Sequence, residues 1–322
     1  MLPLRMILHP TDFSRSAEQA LDHALFLARQ YDALLHLLHV IDIPPMSLPY
    51  LREDFFTQAK QRATASMDEM LASRPAEGIR LARIVLPGLP ASPPAPVILE
   101  YAREHRADLI VMGTHGRHGL PRLFMGSVAE EVVHSAGCPV LTVHEQKTPF
   151  PARPLAHVLA PVDFSDASER ALGYAKDVAA HYGARLTLLH VVEPAPPAGV
   201  YGIGFYMNPE LPEEIVTRAH GRLQQLVAAT DWGGLEVDAQ VERAHAASGI
   251  LDYASHHGVD LIVMASHGWS AFERFLLGGI TAKVMRAAPC PVFIVRPASE
   301  ASQPVSAPPA RDATDLHAPS PT

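Results

Sequence analysis

Residues 107–127 read ADLIVMGTHGRHGLPRLFMGS. The run DLIVMG at 108–113 is apolar without alternation, the pattern of a short strand covered on both faces. Gly113 ends the run. Further glycines stand at 116 and 126, and Ser127 follows the last, giving Gly-x2-Gly-x9-Gly-Ser. A helical pattern begins near Gly126, and PVLTVHE at 139–145 is the next strand. A strand, a glycine-rich loop, a helix and a strand in succession imply a parallel crossover.

The same stretch is written a second time. VDLIVMASHG at 259–268 repeats ADLIVMGTHG at 107–116, and ASHGWSAFERFLLGG at 265–279 repeats the glycine loop. Working outward, VLAPVDFSDASERAL at 158–172 repeats ILHPTDFSRSAEQAL at 7–21. RLTLLHVVE at 185–193 repeats LLHLLHVID at 34–42, and CPVFIVRP at 290–297 repeats CPVLTVHE at 138–145. The chain is a tandem duplication. The proline-marked, polar stretch around 145–156 reads as a linker. The expected boundaries are a first domain over 1–146, a second over 156–297, and a tail over 298–322. That tail is rich in Pro, Ala, Ser and Asp and too poor in apolar residues to build a core, so it is expected to be disordered.

Each half has one rhythm. In the first, RMILHP is a buried strand, and Asp12 and Ser14 are placed to cap a helix with apolar positions at Ala17, Ala20, Leu21, Ala24, Leu25 and Ala28. ALLHLLHVI is the second strand, followed by a helix near 52–73. IRLARIVL, APVILEYAREH and DLIVMG give strand, helix and strand. Five strands alternating with helices specify an α/β fold: two tandem doubly wound domains, each a five-stranded parallel sheet flanked by helices. Ligands of such sheets sit beyond the carboxyl ends of the strands at the switch point, which directs attention to the loops near Pro10–Asp12, Val40–Asp42 and Gly113.

Composition narrows the function classes. The 322 residues suit two domains; 48% are hydrophobic and 19% charged, as in a packed globular chain. The formal net charge of −8, with no basic run, argues against nucleic-acid binding. No apolar run is long enough to cross a bilayer and no signal-peptide pattern opens the chain, so a cytoplasmic protein without membrane contact is expected. Cys138 and Cys290 each precede Pro-Val at the start of an apolar run and read as buried core residues. His36 and His39 fall on opposite faces of a strand. His115 and His118 share a loop but lack a completing cysteine or carboxylate, so no metal site is expected.

The glycine loop has two chemical readings. Glycine allows close backbone approach, and a helix start offers unpaired N–H groups and partial positive charge to phosphate, with the Ser127 hydroxyl beside them and His115, Arg117 and Arg122 in the loop. Alternatively the glycines serve only the turns of a crossover. The loop is neither a Walker A loop nor a dinucleotide fingerprint, and spacing alone leaves both readings open.

PTDFS at 10–14, the HV at 39–40, DLIVMGTHG, the glycine spacing and CPVLTV together resemble the universal stress protein family, in its tandem form. The resemblance implies an adenine-nucleotide α-hydrolase-like fold and, for this glycine loop, ATP binding, with Mg²⁺ as a possible companion. Carried over residue by residue, it implies a base and ribose site at Pro10, Asp12, Val40 and Met112. Gly113 and Gly116 would approach sugar and phosphate, and Gly126, Ser127 and Val128 would bind phosphate. Ala129 stands where relatives often have threonine. In the second half Pro161, Asp163, Val191, Met264, Gly268 and Gly278 correspond. There, Ala265 puts a methyl where the first half has glycine, in space the ligand would need. Gly279 loses the serine hydroxyl, with Thr281 nearby to replace it, and Trp269 replaces Arg117. Weaker nucleotide binding is expected there. The resemblance also implies pairing of the halves through their last strands, 139–143 and 291–295, as an internal pseudo-dimer, with a homodimer open.

The resemblance implies nucleotide-dependent regulation in the stress response, and no nucleophile elbow or clear general base in the sequence points to catalysis instead. A slow ATPase or nucleotidyl transferase and a nucleotide-independent scaffold are the alternatives. The aromatic, glycine- and proline-rich stretch 193–214 reads as a loop folded over its own core, with a lid as the second reading.

Overall fold

The computed structural model describes residues 4–43, 53–90, 92–114, 126–145, 154–194, 213–266 and 278–296. The loop residues 115–125 and 267–277, the stretch 195–212 and the tail after 296 lie outside the described residues. The first half runs β1 (Met6–Pro10), α1 (Arg15–Gln30), β2 (Leu34–Ile41), α2 (Glu53–Ala72), β3 (Leu81–Pro87), α3 (Ala95–Glu104), β4 (Leu109–Gly113), α4 (Ser127–Ser135) and β5 (Val140–Val143). The second runs β6 (His157–Pro161), α5 (Asp166–Tyr182), β7 (Arg185–Val192), α6 (Glu213–Ala229), β8 (Val237–Arg243), α7 (Ala246–His256), β9 (Leu261–Ala265), α8 (Gly279–Ala287) and β10 (Val292–Val295). Among the described residues no helix is long and apolar enough to cross a membrane.

Within each half the strands are parallel, in the order β3-β2-β1-β4-β5 and its repeat, so the switch point falls between β1 and β4. The two sheets fuse into one of ten strands through the antiparallel pair β5–β10. Its register sets Phe293 against Leu141, Val292 against Thr142 and Ile294 against Val140. Phe293 is the repeat of Leu141, so the pairing is self-complementary about that residue, as a two-fold interface requires.

Side chains alternate across the sheet. Ile7, Leu35, Leu37, Leu109 and Val111 join α1, α2, α5 and α6 in one core, while Leu8, Leu38, Ile110 and Met112 join α3, α4, α7 and α8 in the other. Burial on both faces explains why DLIVM carries no polar alternation. Its aspartate has a separate task. The Asp108 carboxylate accepts the amides of Arg5 and Met6 at 2.8 and 2.9 Å, and Asp260 accepts those of Ala156 and His157 at 2.8 and 3.0 Å. Each aspartate thereby staples the start of the neighbouring strand. Cys138 and Cys290 are free thiols; burial pushes each up to about 12, which suits inert packing.

Candidate functional site

The carboxyl edge of β1 is built from PTDFS. Thr11 continues the ladder, its amide donating to Leu38 at 2.8 Å. Phe13 then takes a left-handed conformation, φ 63°, which costs a non-glycine residue roughly 1–2 kcal/mol. Three contacts hold it there. The Thr11 hydroxyl accepts the Phe13 amide at 3.0 Å, the Asp12 carboxylate accepts the Ser14 amide at 3.0 Å, and the Phe13 ring lies 4.6 Å from that of His39. His39 Nδ1–H donates to the Thr11 carbonyl at 2.8 Å. Ser14 caps α1, accepting the Ala17 amide. The second half repeats the device: Phe164 has φ 62°, Asp163 accepts the Ser165 amide, and His190 Nδ1–H donates to the Val162 carbonyl at 2.7 Å. There, the Arg222 guanidinium also sits 4.2 Å over the Phe164 ring. The histidine of each HV pair is thus a brace for the loop of the neighbouring strand.

Beyond Leu8 and Ile110, β1 and β4 part. His9 bridges the opening with Nδ1 2.8 Å from the Val111 carbonyl. A carbonyl only accepts, so Nδ1 carries the proton. Nε2 is then a buried acceptor with no partner among the described residues. Burial drives the His9 imidazole down to about 4, so it is neutral at pH 7. Its repeat is Ala160, which has no ring to bridge the corresponding opening.

Gly113 ends β4 against the start of α1. A Cβ there would lie 2.4 Å from the Ser16 hydroxyl oxygen and 2.7–2.8 Å from the backbone of Ser16 and Ala17. The glycine is therefore required by helix packing. The methyl of its repeat, Ala265, packs into the α5/α6-side core. The expectation that this methyl takes ligand space gives way to a packing role, because the Cβ direction at this position is toward the helix layer.

The ends of the glycine loop are tied. Thr114 and Ser266 are fully buried, and their carbonyls accept the amides of Gly126 and Gly278 at 2.8 and 3.1 Å. The Gly126 amide is thus committed, and the first intrahelical bond of α4 runs from Glu130 to the Gly126 carbonyl. The amides of Ser127, Val128 and Ala129 form the first turn, which has no intrahelical acceptor. The N-cap, Gly126, makes no side-chain capping bond, and Ser127 is exposed. In α8 the corresponding residues are Gly279, exposed Ile280 and buried Thr281. The Thr281 hydroxyl donates to the Ala265 carbonyl at 3.0 Å, so it ties helix to strand instead of replacing the serine hydroxyl.

Pro10, Asp12, Val40, Met112, Gly113, Gly126, Ser127 and Val128 thus gather at the carboxyl edge around the β1/β4 switch point, as do Pro161, Asp163, Val191, Met264, Gly278 and Gly279 in the repeat. Gly116 and Gly268 lie outside the described residues. The apolar walls differ. A Cβ on Gly88 would meet the Ile41 carbonyl at 2.6 Å and Val40 at 3.4 Å. In the second half Ala244 stands there, and the close residue is Gly249 of α7, whose added Cβ would meet Val191 at 3.0 Å. Thr11, His39, Gly88 and Thr114 escaped sequence reasoning; the repeats of His39 and Thr114 were the available signal. Among the described residues no group of three His, Cys, Asp or Glu could hold a metal ion.

A model of the universal stress protein family matches residues 3–144 and again residues 155–296. A universal stress protein of Methanocaldococcus jannaschii, MJ0531, is 36% identical over 149 residues, which is 44% of this chain and 84% of that protein. One from Mycolicibacterium smegmatis is 32% identical over 196 residues, 59% of this chain and 62% of that protein. A crystal structure of a universal stress protein from Archaeoglobus fulgidus matches with a TM-score of 0.64 at 22% identity, over 92% of this chain and 98% of that one. That likeness extends the shared fold to both halves together.

Proposed function

The chain belongs to the universal stress protein family, once in each half, and from that premise we propose that it is an ATP-binding regulatory protein whose nucleotide is held in the first half. One observation carries the reading: α4 starts at the switch-point edge with an uncapped first turn and an exposed serine. Three N–H groups and a hydroxyl there suit the phosphates, and the helix dipole favours their charge. Pro10, Asp12, Val40 and Met112 would receive the base and ribose. Mg²⁺ would accompany the phosphates as their counter-ion. The second half would bind more weakly, since Gly279 lacks the hydroxyl and Ile280 is exposed where phosphate would lie.

Regulation would follow from linkage, because a ligand of the folded state stabilises it. The far end of α4 supports a route between halves: Arg296, just past β10, donates to the carbonyls of Val133 and His134 in the last turn. Catalysis has no comparable support, and the protein is proposed to act by binding.

Calorimetry with ATP, ADP and AMP on the full chain tests the reading. The informative variant is Ser127→Glu. A carboxylate at the helix start favours α4 by roughly 0.3–1 kcal/mol but repels phosphate. ATP affinity should fall at least tenfold (~1.4 kcal/mol) while stability holds or rises. Heat signals no larger than the dilution blank for all three nucleotides would remove the proposal.

A further inference from the structure

The nine residues of α4 run from the switch-point crevice to the seam between the halves. The carboxyl end of α4 leads into β5, and β10 lies antiparallel to β5 with Ile294 against Val140. Arg296, one residue past β10, therefore emerges beside the end of α4. Its Nη1 donates to the Val133 carbonyl at 3.3 Å and to the His134 carbonyl. The Ala136 amide closes the last helical bond, onto Val132. The next two carbonyls belong to the final turn, which a helix leaves without amides of its own. A guanidinium from the second half thus serves the end of a first-half helix, where a cation also complements the dipole.

The repeat is built differently. Arg286 of α8 stands where α4 has His134, and its Nε–H donates at 2.9 Å to the Ala282 carbonyl of its own helix. The repeat of Arg296 is His144, whose Nδ1 lies 3.3 Å from the Thr114 hydroxyl at the start of the glycine loop. So α8 carries its own arginine in the last turn, and α4 borrows one. Burial of Ala129, Val132 and Val133 fixes the middle of α4, but nine residues are too few to hold a helix by propensity. Its ends need polar ties: the Gly126 amide to Thr114 at one, Arg296 at the other. Arg296 is half-buried, and charge-assisted bonds of this kind are the strong ones.

We propose that Arg296 is a positioning residue for the first-half nucleotide: by closing the far end of α4 it keeps the amides of Ser127, Val128 and Ala129 set for phosphate, and so makes affinity in one half depend on the other. The inference rests on the nucleotide reading above. Arg296 itself touches no nucleotide, being a helix length away, about 13 Å at 1.5 Å per residue. Linkage makes the coupling reciprocal: phosphate at the amino end of α4 tightens the Arg296 contact and, with it, the seam.

Calorimetry on the full chain, with ATP and adenosine side by side, tests this. Arg296→Met should weaken ATP at least threefold and leave adenosine unchanged, because only the phosphates meet α4. Arg296→Lys should recover most of the loss. Arg286→Met, the matching change at the end of α8, should leave ATP affinity at the native value. Circular dichroism checks that each variant is folded. Nitrogen NMR of the Arg296 Nε–H group needs no variant: ATP should shift the signal and slow its exchange with water, and adenosine should do neither. That signal and the lysine variant decide the matter even where Arg296→Met does not fold. A native chain that binds no ATP removes the nucleotide reading and this inference with it. Native ATP binding that Arg296→Met leaves unchanged, an equal loss for ATP and adenosine, or an Arg296 signal indifferent to ATP overturns this inference alone.

Discussion

At Gly113 the missing side chain decides how close a strand end and a helix start can come. A methyl would press on the Ser16 backbone at 2.7 Å, a contact that a flexible side chain cannot relieve. Gly113→Ala should therefore destabilise the protein by roughly 1–3 kcal/mol in urea unfolding, whether or not nucleotide is present. A loss of stability confined to the nucleotide-bound protein would contradict this. Protonation acts at the same scale. His9 and His23 are held neutral by burial, at about 4 against an ordinary 6.5. The unfolded chain takes up these protons first as pH falls. Stability contributed by the neutral rings is complete above pH 6.5 and declines toward pH 4, by about 3 kcal/mol per histidine at the lower limit. Urea titrations from pH 7 to 4 should show this decline, and His23→Gln should remove about half of it.

Helix ends and interiors behave differently in this chain. α1 and α5 start with serine caps, whereas α4 and α8 start with bare glycine caps. Those uncapped starts border the crevice. Gly173 in α5 and Gly221 in α6 sit mid-helix with open space where a Cβ would go. Gly173→Ala and Gly221→Ala should each stabilise by roughly 0.5–1 kcal/mol, measured by thermal unfolding, in direct contrast to Gly113→Ala. The same residue change thus has opposite signs, set by what surrounds the position. The strands were legible from their apolar runs, and the caps of α1 and α5 from DFS. The histidine braces were not, because each depends on a carbonyl that the neighbouring strand supplies from 28 residues away.

For the whole molecule the central fact is the antiparallel β5–β10 pair. Because Leu141 faces its own repeat, a first half alone presents a self-complementary edge. A fragment of residues 1–150 should form a dimer on size-exclusion chromatography with light scattering, burying β5 against β5. A folded monomer at tens of micromolar would show that the seam depends on contacts particular to the second half, such as Phe293 or Arg296.

The amino-acid sequence by itself determined the duplication, the order of strands and helices, and the parallel doubly wound class. Those follow from local periodicity and from comparing the chain with itself. It also marked the first glycine loop as the fuller of two copies. Tertiary structure alone decided what each marked residue does. Gly113 serves the approach of α1, the Gly126 amide closes its loop on Thr114, Thr281 ties α8 to β9, and Asp108 staples β1. It also decided that Arg296 meets the end of α4 across the seam. Each of these depends on groups far apart in the chain meeting within a few ångströms, and no spacing along the sequence records such a distance.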